Sequence, residues 1–195
     1  RNNGSAIPLM DMFLREKIPY IKLSDASENF FTSKVTQDIV YFLRFAINPN
    51  DAKAFMQIYY KCGYGFRQQT ANWCCRKARN KGITIVDELI NQMKKWPRLM
   101  QKAEDFRNNM KKISQSKPHD AIDLICRNWY YDYAKENELD IGKTDILYSL
   151  AVREETIIGF LQRLNQLPKL IENYKCTDNN PIILSTIHSA KGLEF

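Results

Sequence analysis

The ten residues Thr186-Ile187-His188-Ser189-Ala190-Lys191-Gly192-Leu193-Glu194-Phe195 gather a hydroxyl, an imidazole, an ammonium, a glycine and a carboxylate at the end of an apolar run that begins at Ile182. In open α/β sheets, ligands sit beyond the carboxyl ends of the strands. A polar string in that place reads as a ligand-contacting loop. Thr186 and His188 can hydrogen-bond a phosphate or a base edge, Lys191 can attract phosphate, and Glu194 can accept from a ribose hydroxyl. The bland alternative is a strand followed by a polar turn.

A second group is Gly63-Tyr64-Gly65-Phe66-Arg67-Gln68-Gln69. Its glycines let backbone approach a ligand closely, and the start of the following helix offers free N–H groups to a phosphate. A G-x-G is weak evidence by itself, and a plain helix-turn-helix connection explains it as well. Arg76, Lys77, Arg79 and Lys81 come next but do not all share one helical face, so they read as a solvated surface. Trp73, Trp96 and Trp129 fall in helical patterns and read as packing residues rather than base-stacking platforms.

The elements that must position these groups follow from periodicity. Ile7, Leu9, Met10, Phe13 and Leu14 predict a short helix over 5–17, and Ile18 to Leu23 predicts a short edge strand. Ser33 predicts the cap of a helix carrying Val35, Ile39, Phe42, Leu43 and Ala46 that ends at Asn48-Pro49-Asn50, and Asp51 caps another reaching about Cys62. A helix from Arg67 to Lys81 stops at Gly82. Thr84 with Asp87 is a capping-box pattern that opens a helix through Lys95. Leu99, Ala103, Phe106, Met110 and Ile113 form the narrow stripe of a helix packed among helices. Pro118 opens the next, with Ile122, Leu124, Ile125, Trp129 and Tyr133 along it, and a last long helix spans about 145–174 with a break near Val152. Only after Asn179-Asn180-Pro181 does a continuous β-branched run predict a strand of the buried type. The middle is all helical between ends of α/β character, which is the pattern of an insertion.

Composition sets the outer limits. Of the 195 residues 44% are apolar and 12% aromatic, enough for a packed core. No run reaches the roughly eighteen uncharged apolar residues of a membrane span, and no signal peptide is evident, so a cytoplasmic protein is expected. The five cysteines and two histidines lack metal-ligand spacing, which argues against a zinc site or a disulfide framework. A net charge of +7 favours a polyanionic partner only weakly. The chain begins at Arg1 rather than Met and stops at Phe195 straight after a strand-like run, so both ends are expected to be cuts in a longer protein.

Thr186 to Phe195 resembles motif V of the UvrD/PcrA/Rep-like superfamily 1 DNA helicases, T-[LI]-H-x-A-K-G-L-E-F, at every defining position. Four further stretches are similar to the same family. Arg1-Asn2-Asn3-Gly4-Ser5-Ala6 through Ile18-Pro19-Tyr20 resembles its R-x-N-x-x-S/A stretch, helix and G-I-P-Y. Phe30-Phe31 through Asp38 to Arg44 and Asn48-Pro49-Asn50-Asp51 resembles motif IVa, with Ser33 and Thr36 or Gln37 where the common pattern has Arg and Glu. Gly63-Tyr64-Gly65 resembles the G-I-G hairpin of the family's helical insertion, and Arg153-Glu154-Glu155 with Arg163-Leu164-Asn165-Gln166-Leu167 resembles the insertion's end, with Gln166 where the family has Glu.

The resemblance implies a mainly α fold: a helical 2B-like insertion at 34–180, flanked by pieces of the second RecA-like (P-loop NTPase-type) motor domain at 1–33 and 181–195. It implies that Thr186, His188 and Lys191 meet single-stranded DNA, that Gly192 and Glu194 meet ATP, and that Gly63, Gly65, Phe66, Arg67, Gln68 and Gln69 lie against duplex DNA. The parent would be an ATP- and Mg²⁺-dependent 3′–5′ helicase acting in repair or replication. DNA, single-stranded and duplex or forked, would be its partner, repair proteins are candidate partners, and this piece would be a monomer. These 195 residues hold no G-x-x-x-x-G-K-[ST] phosphate loop, no acidic Mg²⁺-binding pair and no later arginine motif, so no catalytic residue is assigned and the piece alone is expected to be inactive. Two other classes stay open: a helicase-like subunit of a recombination nuclease, and a non-enzymatic module that binds DNA or protein.

Overall fold

The chain starts its fold by capping helices locally. In the computed structural model, which describes residues 3–22 and 28–185, a 3₁₀ turn (Asn3–Ala6) leads into α1 (Ile7–Glu16), with Pro8 in its first turn and Lys17 closing it in the left-handed conformation. Strand β1 (Tyr20–Lys22) follows, and then α2 (Glu28–Phe31). Ser33 caps α3 (Lys34–Ile47), its hydroxyl accepting from the Thr36 N–H, and Asp51 caps α4 (Ala52–Ile58) by accepting from the Ala54 N–H at 2.9 Å. Arg44, in the last turn of α3, donates to Asp51 at 2.6 Å, so one carboxylate both starts α4 and ties it to α3. Ser33 and Gln37, which with Thr36 fall where the resemblance leads one to expect Arg and Glu, bond the local backbone: Ser33 accepts from the Thr36 N–H and the Gln37 amide donates to the Phe31 carbonyl at 2.7 Å.

Gly82 ends α5 (Gln68–Lys81) at φ 65°, and Thr84 caps α6 (Ile85–Met93). The capping box is altered, because the Thr84 hydroxyl donates directly to the Asp87 carboxylate. Pro97 opens α7 (Pro97–Gln115) and Pro118 opens α8 (Pro118–Ile125). One π-helical turn (Cys126–Tyr130), in which the Tyr131 N–H reaches back to the Cys126 carbonyl, joins α8 to α9 (Tyr131–Glu136). Periodicity gave no sign of that turn. The long helix expected over 145–174 is two helices, α10 (Gly142–Ala151) and α11 (Ile157–Asn173), and the break at 152–156 falls where expected. The helix begun by Asp51 stops at Ile58 rather than Cys62, and α6 stops at Met93 rather than Lys95.

Helix α3 is the hub. Its Ile39, Phe42, Leu43 and Phe45 are fully buried, and α4, α7, α8, α10 and α11 all pack on it. Phe45, Phe55 and Phe106 join α3, α4 and α7, with ring centroids 5.2 to 6.3 Å apart. Each such ring contributes about 1.5–3 kcal/mol by leaving water. The result is a mainly α fold.

The two ends of the helical stretch meet in a small parallel sheet. Strand β2 (Ile182–Leu184) lies beside β1 with Tyr20 opposite Ile182 and Lys22 opposite Leu184. Tyr174, just past α11, stacks on Tyr20 at 4.3 Å and accepts from its backbone N–H. A partly buried ion network around Asp11 also fixes α1 to α11: Asp11 accepts from Arg15 at 2.9 Å and from Arg163 at 2.7 Å, while Arg15 also donates to Glu154. The expectation of a buried strand needs correction. Ile182 and Ile183 are 45% and 49% exposed, since β1 alone flanks β2 among the described residues. Trp96 is corrected too: it lies at the N-cap of α7, beyond the end of α6, and is 55% exposed. Trp129, by contrast, is buried as expected, and Trp73 is half-buried.

Candidate nucleic-acid interface

The segment from Lys61 to Gln69 is built from the inside outward. Lys61 is buried and donates to Asp38 of α3, which also accepts from the Tyr130 hydroxyl at 2.9 Å and pairs with Lys34 at 3.4 Å. The rings of Tyr60 and Tyr133 lie 5.1 and 5.6 Å from the Lys61 ammonium. Cys62 is also buried, and its thiol donates to the Ile58 carbonyl. These two residues anchor the start of the turn.

Gly63 and Gly65 then adopt φ 67° and 71°, with nothing within 4 Å of where a Cβ would stand. Glycine is required by left-handed backbone, not by crowding within the protein. Between them, Tyr64 turns inward and its hydroxyl accepts from the Trp129 indole at 3.1 Å; burial pushes its pKa up. Phe66 packs on Tyr64 at 5.7 Å and is 7% exposed. Phe66, expected to lie against DNA, has its ring packed into the core.

Gly63, Gly65, Arg67, Gln68 and Gln69 are all exposed. Arg67 is the N-cap of α5 in an extended conformation, no side chain caps that end, and its first turn carries no acidic residue. The first N–H groups of a 14-residue helix thus face outward with the positive end of its dipole, beside a guanidinium. Such an end suits an oxyanion, and Arg adds paired donors. Along α5 there is no Asp or Glu, and Arg76, Lys77, Arg79 and Lys81 are exposed; Lys81 is held by Glu88 at 2.8 Å and Lys77 lies over the Trp73 ring at 5.6 Å.

Thr186, His188, Lys191, Gly192 and Glu194 lie outside the described residues. Strand β2 ends at Leu184, two residues before Thr186 in the chain. Asp38 and Lys61, which sequence reasoning did not single out as a pair, are 23 positions apart, and no local pattern links them. Asp11 was missed for the same reason.

Thiol chemistry finds no support among the described residues. Burial drives the Cys62 thiol well above its ordinary range and lifts Cys74 and Cys126 to about 12 and Cys75 to about 11, so these thiols stay protonated near neutrality. Among the described residues no group of His, Cys, Asp or Glu could hold a metal ion, and no helix is long and apolar enough to cross a membrane.

Comparison with known proteins points one way. The family model described as UvrD-like helicase C-terminal domain matches residues 1–181. The ATP-dependent DNA helicase Rep of Buchnera aphidicola subsp. Schizaphis graminum is 25% identical over 233 aligned residues, which take in 100% of this chain and 33% of that protein. The ATP-dependent DNA helicases PcrA of Staphylococcus epidermidis and Staphylococcus aureus are each 22% identical, over 215 and 218 residues, again across 100% of this chain and 29% of theirs. The chain spans about a third of the length of these relatives.

Proposed function

The chain belongs to the UvrD-like helicase C-terminal domain family, and from that membership we propose that it is part of an ATP-dependent DNA helicase that translocates 3′ to 5′ and serves repair or replication. In this reading residues 1–33 and 181–195 are pieces of the second motor domain and 34–180 the insertion. The parallel pairing of β1 with β2, which brings the two outer pieces side by side across the helical stretch, supports that division.

The observation that carries the DNA reading is the uncapped, acid-free N-terminus of α5 beside exposed Arg67, presented by the two left-handed glycines. Gly63, Gly65, Arg67, Gln68 and Gln69 would hold a duplex backbone, the N–H groups of α5 and the guanidinium taking phosphate oxygens. Thr186, His188 and Lys191 would contact the single strand, and Gly192 and Glu194 the nucleotide. In the parent protein ATP with Mg²⁺ would supply the energy for translocation through hydrolysis to ADP and phosphate. This chain's own contribution is to grip the duplex and to connect that grip, through β2, to the residues beyond it.

The reading is tested with the intact protein, ATP and Mg²⁺ on duplexes carrying a 3′ or a 5′ single-stranded tail. Unwinding of the 3′-tailed substrate alone is expected. Unwinding of the 5′-tailed substrate alone would reverse the polarity, and no ATP-dependent unwinding of either would turn the reading toward a DNA-binding module without motor activity.

A further inference from the structure

We propose that the corner between α6 and α7, Lys94-Lys95-Trp96-Pro97-Arg98, is a second DNA contact, at which Trp96 stacks on an unpaired base and Lys94, Lys95 and Arg98 take the adjacent phosphates. The inference rests on the DNA-binding reading above but not on the Gly63–Gln69 turn.

Two features of the corner are independent of each other. The first is a large ring held outside the core. Trp96 is 55% exposed and stacks on no other ring among the described residues, yet its backbone is fixed: its N–H donates to the Met93 carbonyl at 2.8 Å, and its own carbonyl accepts from the Leu99 and Met100 N–H groups at 2.9 Å. Pro97 at the first position of α7 stiffens it further. A ring carried on rigid backbone loses little freedom on stacking, and every base offers it a π face.

The second feature is charge. Lys94, Lys95, Arg98 and, one turn along α7, Lys102 are exposed and form no ion pair among the described residues. No acidic residue lies between Met93 and Ala103, and the nearby Asp105 carboxylate is engaged by the Gln101 amide at 3.0 Å. Four unpaired cations within six residues of an exposed indole along the chain complement a strand that alternates phosphates with bases. The ring calls for a base outside a duplex, which selects single-stranded DNA. Helix α6 packs on α5, and this corner follows the end of α6 that is farther along the chain from Gly82.

The test uses the intact protein and a single-stranded oligonucleotide bearing 5-iodouracil, which crosslinks on irradiation to an aromatic side chain stacked on it, with adducts mapped by mass spectrometry. An adduct on Trp96 is expected. Trp96→Ala should weaken oligonucleotide binding by about 5- to 100-fold and Trp96→Phe should restore most of it, while Lys94→Gln with Lys95→Gln should lower the salt slope by about 1.4. Adducts elsewhere with none on Trp96, together with unchanged affinity of Trp96→Ala, would overturn this contact and leave the Gly63–Gln69 reading standing. Loss on Trp96→Ala of binding to phosphatidylserine vesicles, with oligonucleotide affinity unchanged, would overturn it in favour of a lipid surface. A protein that binds a forked duplex but not the oligonucleotide would overturn this contact alone, and one that binds neither would overturn both readings.

Discussion

Lys61 and Asp38 form an ion pair closed off from water, the lysine side chain 0% and the aspartate 5% exposed. The pair joins the residue two positions before Gly63 to the hub helix α3, so the turn that presents Arg67 is referenced to the centre of the core.

Removing one partner leaves the other charge buried. Lys61→Ala should cost about 3–5 kcal/mol in chemical denaturation, since Asp38 would keep only the Tyr130 hydroxyl and the partly exposed Lys34. The double change Lys61→Ala with Asp38→Ala should cost clearly less than the two single changes added together. Simple additivity would show that the two groups do not interact in the folded chain.

Gly65 has open space above it but left-handed backbone. Gly65→Ala should therefore lower stability by about 1 kcal/mol, and Gly65→Asn by less, because Asn tolerates that conformation. Equal unfolding midpoints for wild type and Gly65→Ala would mean that the turn takes a different backbone course.

The buried thiols give a dependence on alkaline pH. Cys126 rises from an ordinary 9.0 to about 12 on folding, through desolvation and, secondarily, Asp123. Between those values the unfolded chain has lost the proton that the folded chain still binds, so stability falls as pH rises through that window. Cys126→Ser should flatten the fall measured between pH 9 and 11. A thiol reagent at pH 8 should label the partly exposed Cys176 in the folded chain and reach Cys62 and Cys126 only on unfolding.

Local chemistry is what the sequence carried best. Ser33, Asp51, Thr84, Pro97 and Pro118 mark helix starts because a cap or a proline acts on its own few neighbours, and the stripe from Ala103 to Ile113 is buried as its spacing requires. Contacts between distant residues were not legible: Asp38 with Lys61, Asp11 with Arg163, and the sharing of Tyr64 with Trp129. Trp96 misled because helical spacing ran on past Met93, where α6 in fact ends. Within the candidate site, glycines and a following helix could be read from types alone. That Phe66 faces inward while Arg67 faces out could not, since it depends on the Tyr64–Trp129 contact.

Whether the exposed turn before α5 grips duplex DNA is decided by the affinity of the intact protein for a forked duplex across a range of salt concentrations, with Arg67→Ala beside wild type. The variant should bind more weakly, and its slope of log K against log salt should be shallower by about 0.9, as when one fewer phosphate is neutralised. An unchanged affinity with an unchanged slope would contradict a duplex grip at Arg67.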